Sequence, residues 1–204
     1  MIRAIRFDAD GVIQHADDFV PRFVASFGIS SGQATKLVRD ILEAEAPALT
    51  GALEIAEVMA PVFRRHALPF DETAFRARWH NIQTDGAILA IIAQLRAGGY
   101  HCALASNQDR ARAAYMSEGL GYAALFDAAH YSCHIGHAKP SPAYFHAVRA
   151  ATGMDATSIL FIDDRPANID AARQAGLHAA HFQLPRKAAG AALMGLWRSF
   201  GISL

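Results

Sequence analysis

Apolar and polar positions along the chain follow two rhythms, and the change between them falls near residue 84. The chain starts on a short apolar run around Ile5 and Phe7, cut off by Asp8-Ala9-Asp10-Gly11. That pattern predicts a buried strand ended by a glycine turn. From about residue 14 to residue 84, apolar residues recur at helical spacing. One helix is expected over 19–27, stopping at Gly28. A second, capped by Ser30 or Ser31, carries Leu37, Val38, Ile41 and Leu42. A third spans 52–66, where Pro61 is expected to kink or split it. A fourth starts at Asp71 and carries Phe75 and Trp79. Nothing in this stretch reads as a strand.

Beyond Asp85 the rhythm becomes helix, strand, helix, strand. Ile88, Leu89, Ile91, Ile92 and Leu95 mark an amphipathic helix ended by Gly98-Gly99. A strand over 101–105 leads into Ser106-Asn107, and Asp109 caps the helix after it. Further strands are expected over 128–132, 158–162 and 178–182. Helices opened by Ser141-Pro142 and starting near Ala167 lie between them. Strands alternating with helices indicate an α/β fold, a doubly wound parallel sheet of Rossmann-like type, with an all-helical insert after the first strand. The expected division is a core of residues 1–14 and 85–204 and a helical module of residues 15–84. The 186–200 tail reads as an amphipathic helix packed on its own sheet, with a homodimer contact as the lesser reading.

The 204 residues suffice for one good core plus a small module. Lysine plus arginine and aspartate plus glutamate balance at 19 each, and no basic cluster suggests nucleic acid as a partner. Cys102 and Cys133 form no disulfide framework, which suits a reducing compartment. The chain shows no signal-peptide pattern, and its longest apolar stretch, 87–93, is far short of a membrane span. A cytoplasmic protein without membrane contact is expected.

In a parallel sheet the C-terminal strand ends share one rim, where ligands bind at the switch in strand order. Asp8, Ser106 and Asp163 each fall at such an end, and Lys139 follows another strand in its loop. Asp8 and Asp10 project from one face if the extended conformation continues past the strand. Two like charges ~4 Å apart repel by about 4 kcal/mol at an effective dielectric of 20, so a fold that places them there needs a cation, a raised pKa or a job that uses both. A carboxylate nucleophile can split phosphoryl transfer into two easier steps, and magnesium relieves the crowding of Asp8, Asp163 and Asp164 against a phosphate. Lys139 adds a point charge, while Ser106 and nearby amides donate to phosphate oxygens.

Asp8-x-Asp10-Gly11-Val12, Ser106-Asn107, Lys139-Pro140 and Asp163-Asp164 together resemble, in order and spacing, the four motifs of the haloacid dehalogenase superfamily. The helical insert is similar to the small cap of that superfamily's first cap class. The stretch 163–176 resembles small-molecule phosphatases of the superfamily, the sugar-1-phosphate phosphatases and the phosphatase-like domain of soluble epoxide hydrolases. The resemblance implies Asp8 as nucleophile and Asp10 as general acid/base, with Ser106, Asn107 and Lys139 around the phosphate. It implies Mg2+ held by Asp8, Asp163 and the Asp10 carbonyl, with Asp164 ligating through water or orienting Lys139. Asn168 either supports the acidic loop or caps its helix. Asp10 would protonate an alkoxide and later take a proton from water, which requires a raised pKa. Dehalogenating members lack this second aspartate, so its presence favours phosphoryl chemistry.

The expected activity is magnesium-dependent hydrolysis of a small phosphorylated metabolite, with a phosphomutase as the alternative. A phospho-accepting signalling domain fits less well, since its acceptor sits on a later strand. His15, at the hinge of the insert, is a candidate substrate contact, although a solvated linker residue is the commoner role. His130, Cys133, His134 and His137 invite a zinc reading, but their spacing matches no zinc module.

Overall fold

The first strand, β1 (Ala4–Phe7), is buried along its whole length, and its side chains alternate between two apolar clusters. Ile5 and Phe7 enter one cluster and Ala4 the other. Such two-sided burial belongs to the centre of a parallel sheet covered on both faces. The chain's structure, a computed structural model, describes residues 1–15, 25 and 27–203. Five parallel strands form the main sheet in the order β5-β4-β1-β6-β7, with β4 His101–Ser106, β5 Ala128–Tyr131, β6 Ile159–Asp163 and β7 His178–His181. Phe7 pairs with Leu104 of β4 and with Ile162 of β6, so β1 is the point from which the strands run outward in both directions.

Helices fall where capping and periodicity place them. Asp85 caps Gly86–Ala97 by accepting from the Ala87 and Ile88 amides, and Ile88, Ile91, Ile92 and Leu95 are buried under the sheet. The C-terminal helix Ala189–Ser199 packs on that face through Leu193 and Trp197, whose ring meets Phe7 edge-on at 6.0 Å. The opposite face is closed by Pro142–Thr152 and Pro166–Gln174.

Between β1 and β4 lies the helical segment. Ser30 and Gln33 form a reciprocal capping box at the start of Ser31–Ala44. Asp71 caps Glu72–Trp79. Together with Ile55–Arg65 these helices bury a third cluster containing Leu37, Met59, Phe63 and Phe75. Pro61 does not split its helix: Ile55–Arg65 runs through it, held on both sides of the proline by buried Val58, Met59, Val62 and Phe63. The helix expected over 19–27 falls almost entirely outside the described residues. Gln14–His15 (β2) and Gln83–Thr84 (β3) pair antiparallel where the helical segment leaves and rejoins the sheet. Two residues per strand are too few to show any alternation.

Candidate active site

Three adjacent strands, β4, β1 and β6, deliver Ser106, Asp8 and Asp163 to one rim. Asp8 lies one residue past β1 and continues its ladder, its amide donating to the Ile162 carbonyl at 2.9 Å. The extended conformation does not persist to Asp10. The amides of Val12, Ile13 and Gln14 all turn back onto the Ala9 carbonyl, and Gly11 takes a positive φ of 80°. The two carboxyls therefore share a cavity through a tight turn and not through strand alternation.

Lys139 lies at the centre, its side chain 1 % exposed. Its Nζ is 2.9 Å from Asp8 Oδ1 and 2.6 Å from Asp163 Oδ2. Burial disfavours the lysine's charge, but Asp8 and Asp163 outweigh it and raise its pKa above the usual value. Asp8 moves the other way from an ordinary carboxyl. Burial first, then the neighbouring Asp163 and Asp10, push it up to about 7 against the pull of Lys139. Asp163 is fully enclosed, and Asn168 Nδ2 donates to both its oxygens at 2.9 and 3.0 Å while the Arg165 amide donates to Oδ1. Of the two roles open to Asn168, the structure gives it support of the acidic loop; Arg165 occupies the cap position. Burial, and then Asp163, raise the Asp164 carboxyl. Gly11 makes room for that carboxylate, since a Cβ there would overlap its Oδ2.

The Asn107 side chain is engaged with the backbone of Lys139. It accepts from the Lys139 amide and donates to the Lys139 carbonyl, both at 2.8 Å, so it fixes the lysine's backbone. Ser106 is 1 % exposed, and its hydroxyl accepts from Gln108.

Asp10 departs from expectation in its electrostatics. Arg112 grips it through two bonds, Nη1 to Oδ2 at 2.7 Å and Nη2 to Oδ1 at 2.9 Å. Gln14 and Gln108 add donors at 2.8 and 2.9 Å. Burial raises this carboxyl, yet the Arg112 charge and the three sets of hydrogen bonds outweigh it. Asp10 is held below the ordinary carboxylate value, where a raised one was expected. Arg112 and Gln108 were missed in the sequence because the only signal for them is a fold contact across 102 and 98 residues. Arg112 is backed in turn by the helical segment. Trp79 lies 5.6 Å beneath its guanidinium, and the indole donates to Asp109 at 2.6 Å.

The cavity above these groups has a volume of about 560 Å³ and is lined by Asp8, Asp10, Ser106, Lys139 and Asp164 below. Val38, Ile41, Leu42, Leu49, Glu45 and Trp79 of the helical segment line its other side. His15 is not among the lining residues; it stands in β2, 3.8 Å from Asp85. Among the described residues, the carboxylates Asp8, Asp163 and Asp164 are the one group of metal-ligating type, with ligand atoms within 4.8 Å of one another. His130, Cys133, His134 and His137 form no such group, and both cysteines are buried free thiols. An all-oxygen carboxylate set suits a hard divalent cation such as magnesium, so these residues fit the expected ion. No helix among the described residues is long and apolar enough to cross a membrane.

Comparison with known proteins agrees with this geometry. Residues 2–176 match the family described as haloacid dehalogenase-like hydrolase. A HAD family enzyme from Bacteroides thetaiotaomicron superposes with a TM-score of 0.76 at 19% identity, covering 92% of this chain and 97% of that one. The same enzyme in complex with magnesium and inorganic phosphate gives 0.71 at 19% identity, covering 89% and 94%. An L-2-haloacid dehalogenase gives 0.70 at 18% identity over 100% of both chains. None of the curated proteins matches.

Proposed function

The chain belongs to the haloacid dehalogenase-like hydrolase family, and from that premise we propose that it hydrolyses a small phosphomonoester through an aspartyl-phosphate on Asp8. The observation that carries this reading is the presence of a second, hydrogen-bonded carboxyl, Asp10, in the same cavity as Asp8, Lys139 and Asp164. A halide leaves without a proton and gives such a group nothing to do. An alkoxide needs one. The described neighbours include both a dehalogenase and an enzyme solved with magnesium and phosphate, and Asp10 is the residue that separates the two chemistries here.

Asp8 Oδ1 is held by the Ala9 amide at 2.8 Å and by Lys139, which orients the carboxylate and presents Oδ2 to phosphorus. Attack by Oδ2 forms the acyl phosphate as the P–O ester bond breaks, and the departing alkoxide takes a proton from Asp10. The phosphate's own negative charge raises the proton affinity of Asp10 against the pull of Arg112. The carboxylate form that Arg112 favours then suits the second step, in which Asp10 takes a proton from the water that attacks phosphorus and frees Asp8. Ser106 and Lys139 hold the phosphate oxygens. Asn107 fixes the Lys139 backbone, and Asn168 orients Asp163. Asp8, Asp163 and the Asp10 carbonyl would hold magnesium, with Asp164 beside them. When bound it supplies positive charge to neutralise the transferring group.

Residues 1–14 and 85–204 act as the catalytic core in this reading, and residues 15–84 as a cap that excludes water. His15, paired in β2 beside Asp85, belongs to the hinge in this reading. The substrate is a small phosphorylated metabolite, of the kind handled by sugar-phosphate phosphatases, and the two reduced cysteines fit a cytoplasmic setting. The test is magnesium-dependent phosphate release across a panel of phosphorylated metabolites. Stoichiometric release without added bisphosphate separates a phosphatase from a mutase. Asp8→Asn should abolish turnover while the circular dichroism spectrum is retained. Undiminished phosphate release by that variant would remove the covalent step.

A further inference from the structure

We infer that Glu45 is the specificity residue of this cavity and that it receives a cationic group, an ammonium, at the end of the substrate remote from phosphate. The inference rests on the phosphohydrolase reading and names the substrate class within it: phosphomonoesters of amino alcohols with an apolar spacer. Glu45 ends the helix Ser31–Ala44 and opens the short helix Ala46–Leu49, yet its side chain makes no capping hydrogen bond there. Among the described residues its carboxylate has no hydrogen bond and no ion pair, and it lines the same cavity as Asp8. Among the described residues, the rest of the wall that the helical segment supplies is apolar or aromatic: Val38, Ile41, Leu42, Leu49 and Trp79. A single acid on an apolar wall is the arrangement by which a small-molecule pocket fixes the orientation of its ligand.

Charge decides the kind of group received. Among the described residues, five carboxyls line the cavity (Asp8, Asp10, Glu45, Asp109, Asp164) against three cations, Arg112, Lys139 and Arg165. Lys139 is committed to Asp8 and Asp163, and Arg112 to Asp10. Arg112 and Arg165 act on Glu45 from across the cavity without pairing with it. Burial leads the effects that push its carboxyl up to about 7, so the group is partly desolvated and short of a partner. An ammonium entering against it would restore the missing charge, while the spacer lies on the Ile41 and Trp79 side of the wall.

The experiment measures kcat/KM with magnesium for three phosphates of equal chain length, ω-aminoalkyl, ω-hydroxyalkyl and n-alkyl, with nitrophenyl phosphate as a general probe. The wild type should prefer the aminoalkyl ester over the n-alkyl ester by about tenfold to a hundredfold, the worth of one charged hydrogen bond. In Glu45→Gln, which keeps the size and disturbs no cap bond, the ratio should collapse toward one. In Glu45→Lys the preference should pass to an ω-carboxyalkyl phosphate. A wild type that does not distinguish the three esters, or prefers the hydroxyl, overturns the assignment, as does a preference that survives in Glu45→Gln. Nitrophenyl phosphate hydrolysis accompanying any of these failures shows that the phosphohydrolase reading stands without it. No phosphate release from any ester overturns that reading and the Glu45 assignment together.

Discussion

Replacing Lys139 by methionine isolates the electrostatic problem on which the site is built. Among the described residues the lysine is the sole side-chain cation within 3 Å of both Asp8 and Asp163, at 2.9 and 2.6 Å, and all three side chains are at most 10 % exposed. Methionine fills a similar volume with no charge. Coulomb's law at an effective dielectric of 20 gives roughly 6 kcal/mol for each contact at this separation, but the desolvation of three ions cancels much of it. Breaking one partner out of a buried set costs about 3–5 kcal/mol in practice. For a chain of this length that is a fall in Tm of about 6–20 °C in the presence of a chelator.

Two conditions should narrow the gap. Lowering the pH protonates the carboxyls left facing each other, so they no longer require a cation. Adding magnesium supplies one, and a ligand at a hundred times its Kd adds about 2.7 kcal/mol. The magnesium-induced rise in Tm should therefore be larger for Lys139→Met than for the wild type. The assay is thermal unfolding of both proteins in chelator and in excess magnesium near pH 8. Equal melting temperatures in chelator would refute the claim that Lys139 neutralises this pair. An absent or smaller magnesium shift in the variant would refute the metal assignment of Asp8 and Asp163.

Asp10→Asn should lower turnover by about 10²–10⁴-fold on alkyl phosphates and far less on nitrophenyl phosphate, whose leaving group needs no proton; equal losses would deny Asp10 the proton transfer. Gly11→Ala must hold an L-residue at φ 80° and drive its Cβ into the Asp164 carboxylate. A loss of about 1–3 kcal/mol in denaturant unfolding together with weaker magnesium binding is expected, and a wild-type magnesium titration would contradict the packing described. In chelator, stability should fall as pH rises from about 6.5 to 8. Burial lifts the Asp8 and Glu45 carboxyls to about 7, above their unfolded values, so the folded state holds protons that the unfolded chain has already lost and gives them up across this window. The buried His130 has its pKa lowered, by burial first, to about 4, and acts in the opposite sense between that value and its ordinary one near 6.5, so its effect fades as the window opens. Urea denaturation at the two ends checks the sign, and saturating magnesium should flatten the slope.

How much of this was legible in the sequence depended on how local each signal was. Ser30, Asp71, Asp85 and Asp109 cap helices through amides two to three residues away, so a reader of the chain finds them directly. The strands ending in Asp8, Ser106 and Asp163 follow from apolar runs cut off by polar groups. Val38 and Leu42 were legible as helical periodicity but not as a cavity wall. They share their helix with Leu37 and Ile41, and only the packed structure shows that Leu37 is enclosed while Val38 and Leu42 face the cavity. The tight turn at Gly11 was read as punctuation, yet it also aims Asp10 and admits the Asp164 carboxylate. The resemblance implies Asn107 beside the phosphate, and the side chain has a further role. Its commitment to the Lys139 backbone is a contact across 32 residues that no spacing discloses.

The same limitation hid the connection between the helical segment and the acid/base. Trp79 of that segment donates to Asp109 Oδ2, while Asp109 Oδ1 accepts from the Arg112 amide and so caps the helix that carries Arg112. Arg112 in turn fixes both oxygens of Asp10. Each link is a hydrogen bond or ring contact with a defined direction, so the orientation of Asp10 depends on where the indole sits. A tryptophan that withdrew with its helix would leave Asp109 without that donor and Arg112 without the face it lies over. The Asp10 carboxyl is therefore best ordered when the helical segment is seated on the rim, which is also when the cavity is most enclosed. Placing the arginine on the core and its support on the insert ties two requirements of phosphoryl transfer, an oriented carboxyl and a site screened from water, to one contact.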